Sequence, residues 1–315
     1  MNFLEVSGIS KREQSHFVVK DVSFTLQPFQ KIAIAGETGS GKSTLLKMIA
    51  GLVQPQADGG KVVFENRKVV GPDEKLVPGH PGIAYLSQHF ELRNNYRVEE
   101  VLMRLNELTE NEAGTLYEIC QISHLLKRKT DQISGGEKQR IALARQLSSK
   151  PRLLLLDEPF SNLDMIHKNV LKSVIRDVGE RLQITCMLIS HDPLDTLSWA
   201  EEIFVMKEGE ICQRGTPEQI YKQPKDEYVA GLFGKYSLLP MENGRHLFVR
   251  PEQFNIVKDP ASTLHGKVAD ITFLGSTYEI TVSLHENTVT VNTQSGDYVV
   301  GDSVYLALPG EVWYI

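Results

Sequence analysis

The chain of 315 residues has no long apolar run. A membrane-spanning helix needs about 18 consecutive apolar residues, and the longest candidates here are Ile32 to Ala35 and Leu153 to Leu156. We therefore expect no segment of this chain to cross a membrane.

The start, Met1 to Glu5, lacks basic residues and has an acid in its only apolar patch, so no secretory signal is expected. Without such a signal, we expect the protein to stay in the cytoplasm.

Cysteine is also scarce. The three residues, Cys120, Cys186 and Cys212, are odd in number, widely spaced and in apolar surroundings. This pattern argues against a disulfide framework or a metal site. We expect three reduced, buried thiols without a chemical role.

A surplus of positive charge is missing as well. The formal net charge is −6, and residues 241–315 hold nine acids and four bases, which is −5 of that total. A module that binds nucleic acid carries the opposite sign, because it must neutralise phosphates.

The length and the 41% hydrophobic content allow one large domain and one smaller domain.

The chain does contain a phosphate-binding pattern of the form G-x-x-x-x-G-K-[ST]. It consists of Gly36, Glu37, Thr38, Gly39, Ser40, Gly41, Lys42, Ser43 and Thr44. An apolar run precedes it and an amphipathic run, Leu45 to Leu52, follows, as in the strand-loop-helix setting of a P-loop. Glycine lets backbone N–H groups and a helix N-terminus approach an anion closely. We expect Lys42 to reach the β- and γ-phosphates and Ser43 to hold Mg²⁺; a Gly-rich turn with a solvated lysine is the less favoured alternative.

Two residues near predicted strands are further candidates. Gln88 directly follows the predicted strand Ile83 to Leu86, where its carbonyl oxygen can ligate Mg²⁺ and orient a water. Taken alone, it is simply a polar residue that leaves a strand. Phe17 is a candidate for stacking on the adenine ring, and as a lone aromatic it is at least as compatible with the core of a strand.

Two carboxylates follow the apolar run Leu153 to Leu156. A continuous apolar strand is typical of a parallel sheet that is buried on both faces, and such sheets bind ligands at their carboxyl edge. We expect Asp157 to be the Mg²⁺ partner, through water, and Glu158 to polarise the attacking water. A solvated Asp-Glu turn is the alternative.

A second anion-binding loop is predicted at Ser134, Gly135 and Gly136, which precede a helical run, Ile141 to Leu147. Backbone N–H groups and the helix dipole are aligned there. Two phosphate loops are more than one nucleotide needs. We therefore expect this loop, which Glu137 follows, to bind the γ-phosphate of a nucleotide held by the P-loop of another copy.

Two further polar residues follow or precede regular elements. His191 stands at the end of the predicted strand Ile184 to Ser190, where packing or capping is the usual role. Among these partners it is well placed to contact a γ-phosphate. Asp164 starts the helix that is predicted after the strand Leu153 to Leu156. It is a candidate for nucleotide binding, and it could equally be the N-cap of that helix.

In this order the motifs resemble those of the nucleotide-binding subunits of ATP-binding-cassette (ABC) transporters, from Met1 to about Gly234. The corresponding segments are Gly36 to Thr44 as Walker A, Gln88 as the Q-loop, Ile133 to Glu137 as the signature, Leu153 to Glu158 as Walker B, Ser161 to Asp164 as the D-loop and His191 as the switch histidine. Ile133 and Glu137 replace the usual Leu and Gln of the signature. The resemblance implies an α/β P-loop NTPase domain over 1–234, with a helical subdomain over about 89–134. The helical pattern of Arg97 to Lys127 and the capping-box pattern Thr109 to Glu112 indicate this insertion from the residues themselves.

The remaining segment, 240–315, has short alternating strands with a turn about every ten residues, which suggests a small barrel. It resembles the OB-like (TOBE) accessory domain of importer ATPases for sugars, polyamines, ferric iron or oxyanions. Arg250 to Glu252 and Phe273 to Ser276 carry this likeness, and Gly231 to Leu239 is predicted to be a linker.

The resemblance implies an ATPase that binds ATP and Mg²⁺, with Glu158, His191 and Gln88 as catalytic residues. A homodimer would drive a separate integral membrane permease from the cytoplasmic face of the membrane, with a solute-binding protein acting indirectly. A non-transport ABC ATPase that acts on DNA or ribosomes, and a nucleotide-gated regulator with little turnover, are the alternatives. We expect no nucleic-acid partner, and the permease and receptor select the solute.

The segment His89 to Val101 links the predicted metal site to the helical insertion. Phe90, Leu92 and Tyr96 make it more apolar than a solvated loop. We favour a role for these residues in lining a groove for a permease helix; packing under the insertion is the alternative.

Overall fold

The computed structural model describes residues 3–56, 60–88, 92, 94–103, 106–241, 244–258, 264–285, 287–308, 310 and 313–315. The chain divides into two compact units, Met1–Pro217 and Glu218–Ile315. The described helices include none with the length and apolarity of a membrane span.

The first unit is an α/β structure. Its strands are β1 (Leu4–Glu13), β2 (His16–Leu26), β3 (Lys31–Ala35), β4 (Lys61–Phe64), β5 (Arg67–Lys68), β6 (Ile83–Leu86), β7 (Leu153–Asp157), β8 (Thr185–Ile189), β9 (Glu202–Lys207) and β10 (Glu210–Gly215). Its helices are α1 (Lys42–Ile49), α2 (Val98–Met103), α3 (Glu110–Ile119), α4 (Gly135–Leu147), α5 (Met165–Arg181) and α6 (Pro193–Leu197), with a 3-10 turn at Ser123–Leu125.

A six-stranded sheet with the order β10-β9-β3-β8-β7-β6 is the centre of this unit. Strands β9, β3, β8, β7 and β6 run parallel, and β10 is antiparallel to β9. A second, four-stranded antiparallel sheet has the order β2-β1-β4-β5. Because β3, β8, β7 and β6 are parallel neighbours, the segments that follow them share one edge.

The inner strands are buried on both faces, as their apolar runs predict. Leu153 and Leu155 pack in one hydrophobic cluster with α1, whereas Leu154 and Leu156 pack in a second cluster with α4 and α5. Full burial of such a side chain is worth about 1.5–3 kcal/mol. The alternation of these leucines between two cores therefore holds β7, with its terminal carboxylates, firmly in the sheet.

The helical insertion consists of separate short helices. The predicted capping box is confirmed at the start of α3, because Thr109 Oγ1 accepts from Glu112 N and Glu112 Oε2 accepts from Thr109 N at 2.8 Å. Hydrogen bonds from Lys150 and Thr109 lower the pKa of Glu112 to about 2. Leu92 packs partly against the second core, as the packing alternative expects, and Tyr96 is half-buried. Phe90 lies outside the described residues.

Two of the cysteines are inert by burial. Cys120 and Cys186 lie in the second core, and burial raises the pKa of each thiol to about 12. Cys212 is half-buried, with Sγ 3.4 Å from the carbonyl oxygen of Val205.

The second unit is rich in strands, as predicted. Its elements are α7 (Pro217–Lys222), which starts at the boundary, α8 (Glu227–Leu232), β11 (Ser237–Pro240), β12 (His246–Val249), β13 (Asn255–Val257), β14 (Leu264–Phe273), β15 (Tyr278–Ser283), β16 (Thr288–Thr293), β17 (Ser303–Ala307) and β18 (Trp313–Tyr314), with a 3-10 turn at Pro251–Gln253. The sheet orders are β11-β12-β18 and β13-β17-β14-β15-β16. Alternate residues of these strands form a separate core.

The prediction of a linker at Gly231 to Leu239 is wrong in part, because α8 extends to Leu232 and β11 starts at Ser237. The physical reason is Arg250, whose side chain is completely buried. Its guanidinium donates to the carbonyl oxygens of four residues: Tyr221, Ala230, Gly234 and Lys235. These charged hydrogen bonds attach the segment before β11 to the second unit.

Candidate functional site

The predicted site residues lie at one edge of the parallel sheet. The P-loop follows β3, His191 follows β8, Asp157 ends β7 and Gln88 follows β6. Because these strands are adjacent, residues far apart in sequence come together at their carboxyl ends. Sequence reasoning could predict the edge but not the contacts across it.

The P-loop requires glycine at two positions. Gly36 has φ 149° and Gly41 has φ 96°. A Cβ on Gly36 would lie 2.4 Å from the carbonyl oxygen of Met206, and a Cβ on Gly41 would lie 2.1 Å from that of Val18. The loop is therefore held against β9 and β2 by close backbone contact. Its tip, Glu37 to Gly39, is exposed.

Lys42 is folded into this loop. Helix α1 starts at Lys42 itself, earlier than the predicted run from Leu45, so the helix N-terminus points into the loop with Ser43 and Thr44 in its first turn. The Lys42 ammonium group donates to the carbonyl oxygens of Gly36 at 2.8 Å and Glu37 at 2.7 Å. Burial lowers the pKa of Lys42, against the influence of nearby carboxylates. The loop is thus a positively charged cradle for an anion.

Asp157 joins the P-loop to the neighbouring strands. Its Oδ1 accepts from Ser43 Oγ at 2.8 Å, and its Oδ2 accepts from the hydroxyl of Tyr85 at 2.7 Å. Asp157 is 5% exposed. Burial and the bond to Asp157 raise the pKa of Tyr85 above its usual value. Sequence reasoning missed Tyr85, because a single aromatic residue in a predicted strand has no motif and its neighbour across the sheet is set by the register of β6 and β7.

These residues fit a magnesium ion. Mg²⁺ takes oxygen ligands and is commonly held by one or two carboxylates together with substrate phosphates. Ser43 and Asp157 offer a hydroxyl and a buried carboxylate in direct contact. Within the described ranges, no cluster of three or more His, Cys, Asp or Glu competes as a protein-only metal cage.

Glu158 receives three polar contacts on one oxygen. Ser161 Oγ donates to Glu158 Oε2 at 2.9 Å, His191 Nδ1 lies at 3.1 Å, and Gln88 Nε2 lies at 3.5 Å. Glu158 has φ 49°, a left-handed backbone conformation that costs energy and is often found at functional sites. These groups line a cavity of about 330 Å³. Gln88 is therefore placed beside Glu158, and its role as a metal ligand stays a prediction.

An ionic network around the buried Asp195 lies beside His191 and lines the same cavity. Asp195 is 1% exposed and bonds the ammonium groups of Lys168 at 2.8 Å and Lys172 at 2.7 Å. Lys168 also bonds Asp192. Burial would raise the pKa of Asp192, but the hydrogen bonds from Lys168 and from the backbone N–H of Leu194, together with the charges of Lys168 and Lys172, outweigh burial and lower that pKa. Asp192 directly follows His191, so α5 fixes the loop that carries the histidine.

The second predicted phosphate loop has the expected helix start. Ser134 is the N-cap of α4 and forms a capping box with Glu137; the backbone N–H of Ser134 lowers the pKa of Glu137 by donating to its carboxylate. Ser134 and Gly135 are exposed, whereas a Cβ on Gly136 would meet the ring of His167 at 2.8 Å.

His167 also joins this loop to the D-loop. Asp164 is the N-cap of α5, as the alternative interpretation expected, and accepts from His167 N at 2.9 Å. Its other oxygen lies 2.7 Å from His167 Nδ1, and the His167 N–H groups lower the pKa of Asp164. Asp164 and Gly136 therefore contact the same histidine.

Phe17 is half-buried near the start of β2. The guanidinium of Arg12 covers its ring at 4.0 Å from the centroid. The next residue, Val18, has its carbonyl oxygen against Gly41. Phe17 is thus one residue away from the P-loop contact, and its stacking on adenine stays a prediction.

Two family models match the chain: residues 19–161 match the one described as ABC transporter, and residues 247–315 match the one described as TOBE domain. The spermidine/putrescine import ATP-binding protein PotA of Clostridium acetobutylicum is 30% identical, and the alignment covers 98% of this chain and 95% of that protein. This chain belongs to the ABC transporter family. The sulfate/thiosulfate import ATP-binding protein CysA of Synechococcus elongatus is 32% identical over 91% of this chain and 88% of that protein.

The fold agrees with this assignment. The solved structure of cbiO1 from Clostridium perfringens, described as part of the ABC transporter complex cbiONQ, has a TM-score of 0.59 at 25% identity and covers 70% of this chain and 90% of that chain. The predictions of an ABC ATPase fold, an ATPase activity and a TOBE domain are confirmed. Because the relatives are import subunits, the alternative of an ABC ATPase that acts on nucleic acid or ribosomes is not favoured.

Proposed function

We propose that this ABC ATPase is the energy-supplying subunit of an importer, in which two copies bind two Mg²⁺·ATP and drive solute uptake through a separate membrane permease. The observation that carries the proposal is the pair of contacts at the end of β7. Asp157 bonds Ser43 of the P-loop, and the adjacent Glu158 contacts His191. One strand end thus connects the phosphate cradle to a group that can sense the γ-phosphate.

The residues divide the work of hydrolysis. The P-loop N–H groups and Lys42 bind the phosphates. Ser43 and, through water, Asp157 would hold Mg²⁺, which neutralises charge on the phosphate oxygens when bound. Glu158 accepts a proton from the attacking water. His191 contacts the γ-phosphate and, through its bond to Glu158, links the state of the phosphate to the position of the base.

Two copies are proposed because the second anion loop faces solvent. Ser134 and Gly135 are exposed at the start of α4. Large apolar side chains are exposed beside the D-loop and the loop of His191: Met165 is 70%, Ile166 is 75% and Leu194 is 69% exposed. Exposed apolar groups commonly mark partner surfaces. A second copy would cover them and bring its P-loop to Ser134.

The names of the relatives support coupling to a permease. Both are named import ATP-binding proteins, and this chain shares nearly its whole length with them. We place it at the cytoplasmic face of the membrane, held there by the permease and served indirectly by a solute-binding protein. The two relatives are named for a polyamine and for an oxyanion, which differ in sign of charge, so we assign solute choice to the permease and the receptor.

The test first asks whether neighbouring genes encode a multi-span permease, and then uses the full chain together with that permease. In membrane vesicles that contain both, ATP should drive uptake, and Lys42→Ala should abolish it. A nucleotide-gated regulator would bind ATP without steady hydrolysis. Absence of steady, Mg²⁺-dependent hydrolysis by the complex would contradict the proposal.

A further inference from the structure

Tyr85 contacts the proposed metal site from the edge strand of the sheet. In the register of β6 and β7, Tyr85 lies beside Leu155. Asp157 is two residues further along β7, and residues two apart on a strand point to the same face. This face packs against α1, because Tyr85 and Leu155 join the core cluster that contains the apolar residues of that helix. Tyr85, Asp157 and the helix that carries Ser43 therefore meet on one side of the sheet.

Two hydroxyl groups fix the carboxylate of Asp157, one on each oxygen. Ser43 Oγ donates to Oδ1 at 2.8 Å, and Tyr85 donates to Oδ2 at 2.7 Å. With 5% exposure, Asp157 has little water to replace a lost donor, and a buried carboxylate oxygen without a donor is costly. Ser43 has a second task, since its hydroxyl is also a proposed metal ligand. Tyr85 has no such second task.

We propose that Tyr85 is a positioning residue for the cation: its hydroxyl holds Asp157 Oδ2 so that the carboxylate keeps the orientation needed to bind Mg²⁺. The inference rests on the metal role proposed above for Ser43 and Asp157. Partners that orient a metal ligand typically change metal affinity or activity by about 10–100-fold when removed. Tyr85 thus sets the Mg²⁺ concentration at which the nucleotide site is loaded.

The test is Tyr85→Phe in the full chain, which keeps the ring and removes one oxygen. Mn²⁺ serves as the probe, because it accepts the same oxygen ligands as Mg²⁺ and its free form is visible by electron paramagnetic resonance. With a non-hydrolysable ATP analogue present, Mn²⁺ affinity should fall about tenfold or more. Affinity for the analogue in EDTA should be unchanged, since the phosphate cradle is intact.

Matched variants separate the possible outcomes. Tyr117→Phe removes the hydroxyl of another half-buried tyrosine, which packs against the second core, and should leave Mn²⁺ affinity unchanged. Tyr85→Met removes the hydroxyl with a different side chain and should reproduce the loss. Wild-type Mn²⁺ affinity in folded Tyr85→Phe would overturn the inference. If Ser43→Ala also leaves Mn²⁺ affinity unchanged, the proposed metal site itself fails.

Discussion

His191 Nδ1 lies 3.1 Å from Oε2 of Glu158. The two residues follow neighbouring strands, and the backbone N–H of Glu158 donates to the carbonyl oxygen of Ile189, the last residue of β8, at 3.0 Å. Backbone and side chains therefore connect the same two strand ends. A shift of His191 on contact with phosphate would be transmitted directly to the residue proposed as general base.

The first prediction concerns His191. His191→Ala should reduce steady ATP hydrolysis by about 10²-fold or more, the usual scale for loss of one group that stabilises charge on the reacting atoms, while ATP binding persists because the P-loop is untouched. Hydrolysis and nucleotide binding should be measured on the same preparation. His124→Ala, at an exposed histidine in the 3-10 turn, is the control. Equal losses in both variants would remove the special role of His191.

The second prediction concerns the ionic network behind that loop. Lys168→Met should lower the free energy of unfolding by about 1–3 kcal/mol, because Asp195 and Asp192 lose a donor in a mostly buried place. Lys168→Arg should retain most of the free energy of unfolding, because it keeps a charged donor. Lys150→Met breaks an ion pair with Glu112 that is about half exposed and should cost about 0–1 kcal/mol. Denaturant unfolding measures the free energy of unfolding of all three variants. Equal losses for Lys168→Met and Lys150→Met would contradict a stabilising role of the network.

The third prediction tests whether two copies share a site. Ser134→Arg should abolish hydrolysis by blocking the loop at the start of α4, yet leave nucleotide binding to the P-loop of its own chain. Lys42→Ala should lose binding. A mixture of the two variants should regain part of the activity, because one site per dimer combines an intact P-loop with an intact Ser134. No recovery in a mixture shown to form dimers would mean that each site is completed within one chain.

The fourth prediction concerns Arg250. Arg250→Met should destabilise the second unit by about 3 kcal/mol or more, because several buried carbonyl groups lose a charged donor. Limited proteolysis should then cleave within 218–315. ATP binding should persist, since the motifs lie in Met1–Pro217. Lys258→Met, at an exposed position, should leave the protease pattern unchanged, and an unchanged pattern in Arg250→Met would contradict the role of this residue.

The sequence predicted elements whose signal is local. The run Leu153 to Leu156 has the pattern of a strand buried on both faces, and Thr109 with Glu112 has the pattern of a capping box; the structure confirms both. Tyr85 could not be found in this way, because a single aromatic residue in a strand has no motif. Its role depends on the register between β6 and β7, which arises only when the sheet forms.

The linker prediction was wrong in part for a similar reason. Gly231 to Leu239 has the composition of a connection, but Arg250 donates to Ala230, Gly234 and Lys235 from a later part of the chain. Such contacts are long-range, so neither turn residues nor periodicity reveal them. The motif around Arg250 was recognisable from the sequence, whereas the reason for an arginine there is visible only in the fold.

The most direct test of the account is Glu158→Gln. The substitution keeps the size of the side chain and removes its ability to accept a proton, so hydrolysis should fall by about 10²–10⁴-fold while ATP binding is retained. ATP should then hold two copies together, visible as a stable species of twice the monomer mass. Hydrolysis at the wild-type rate by Glu158→Gln would contradict the assignment of Glu158 as the base, and with it the proposed mechanism.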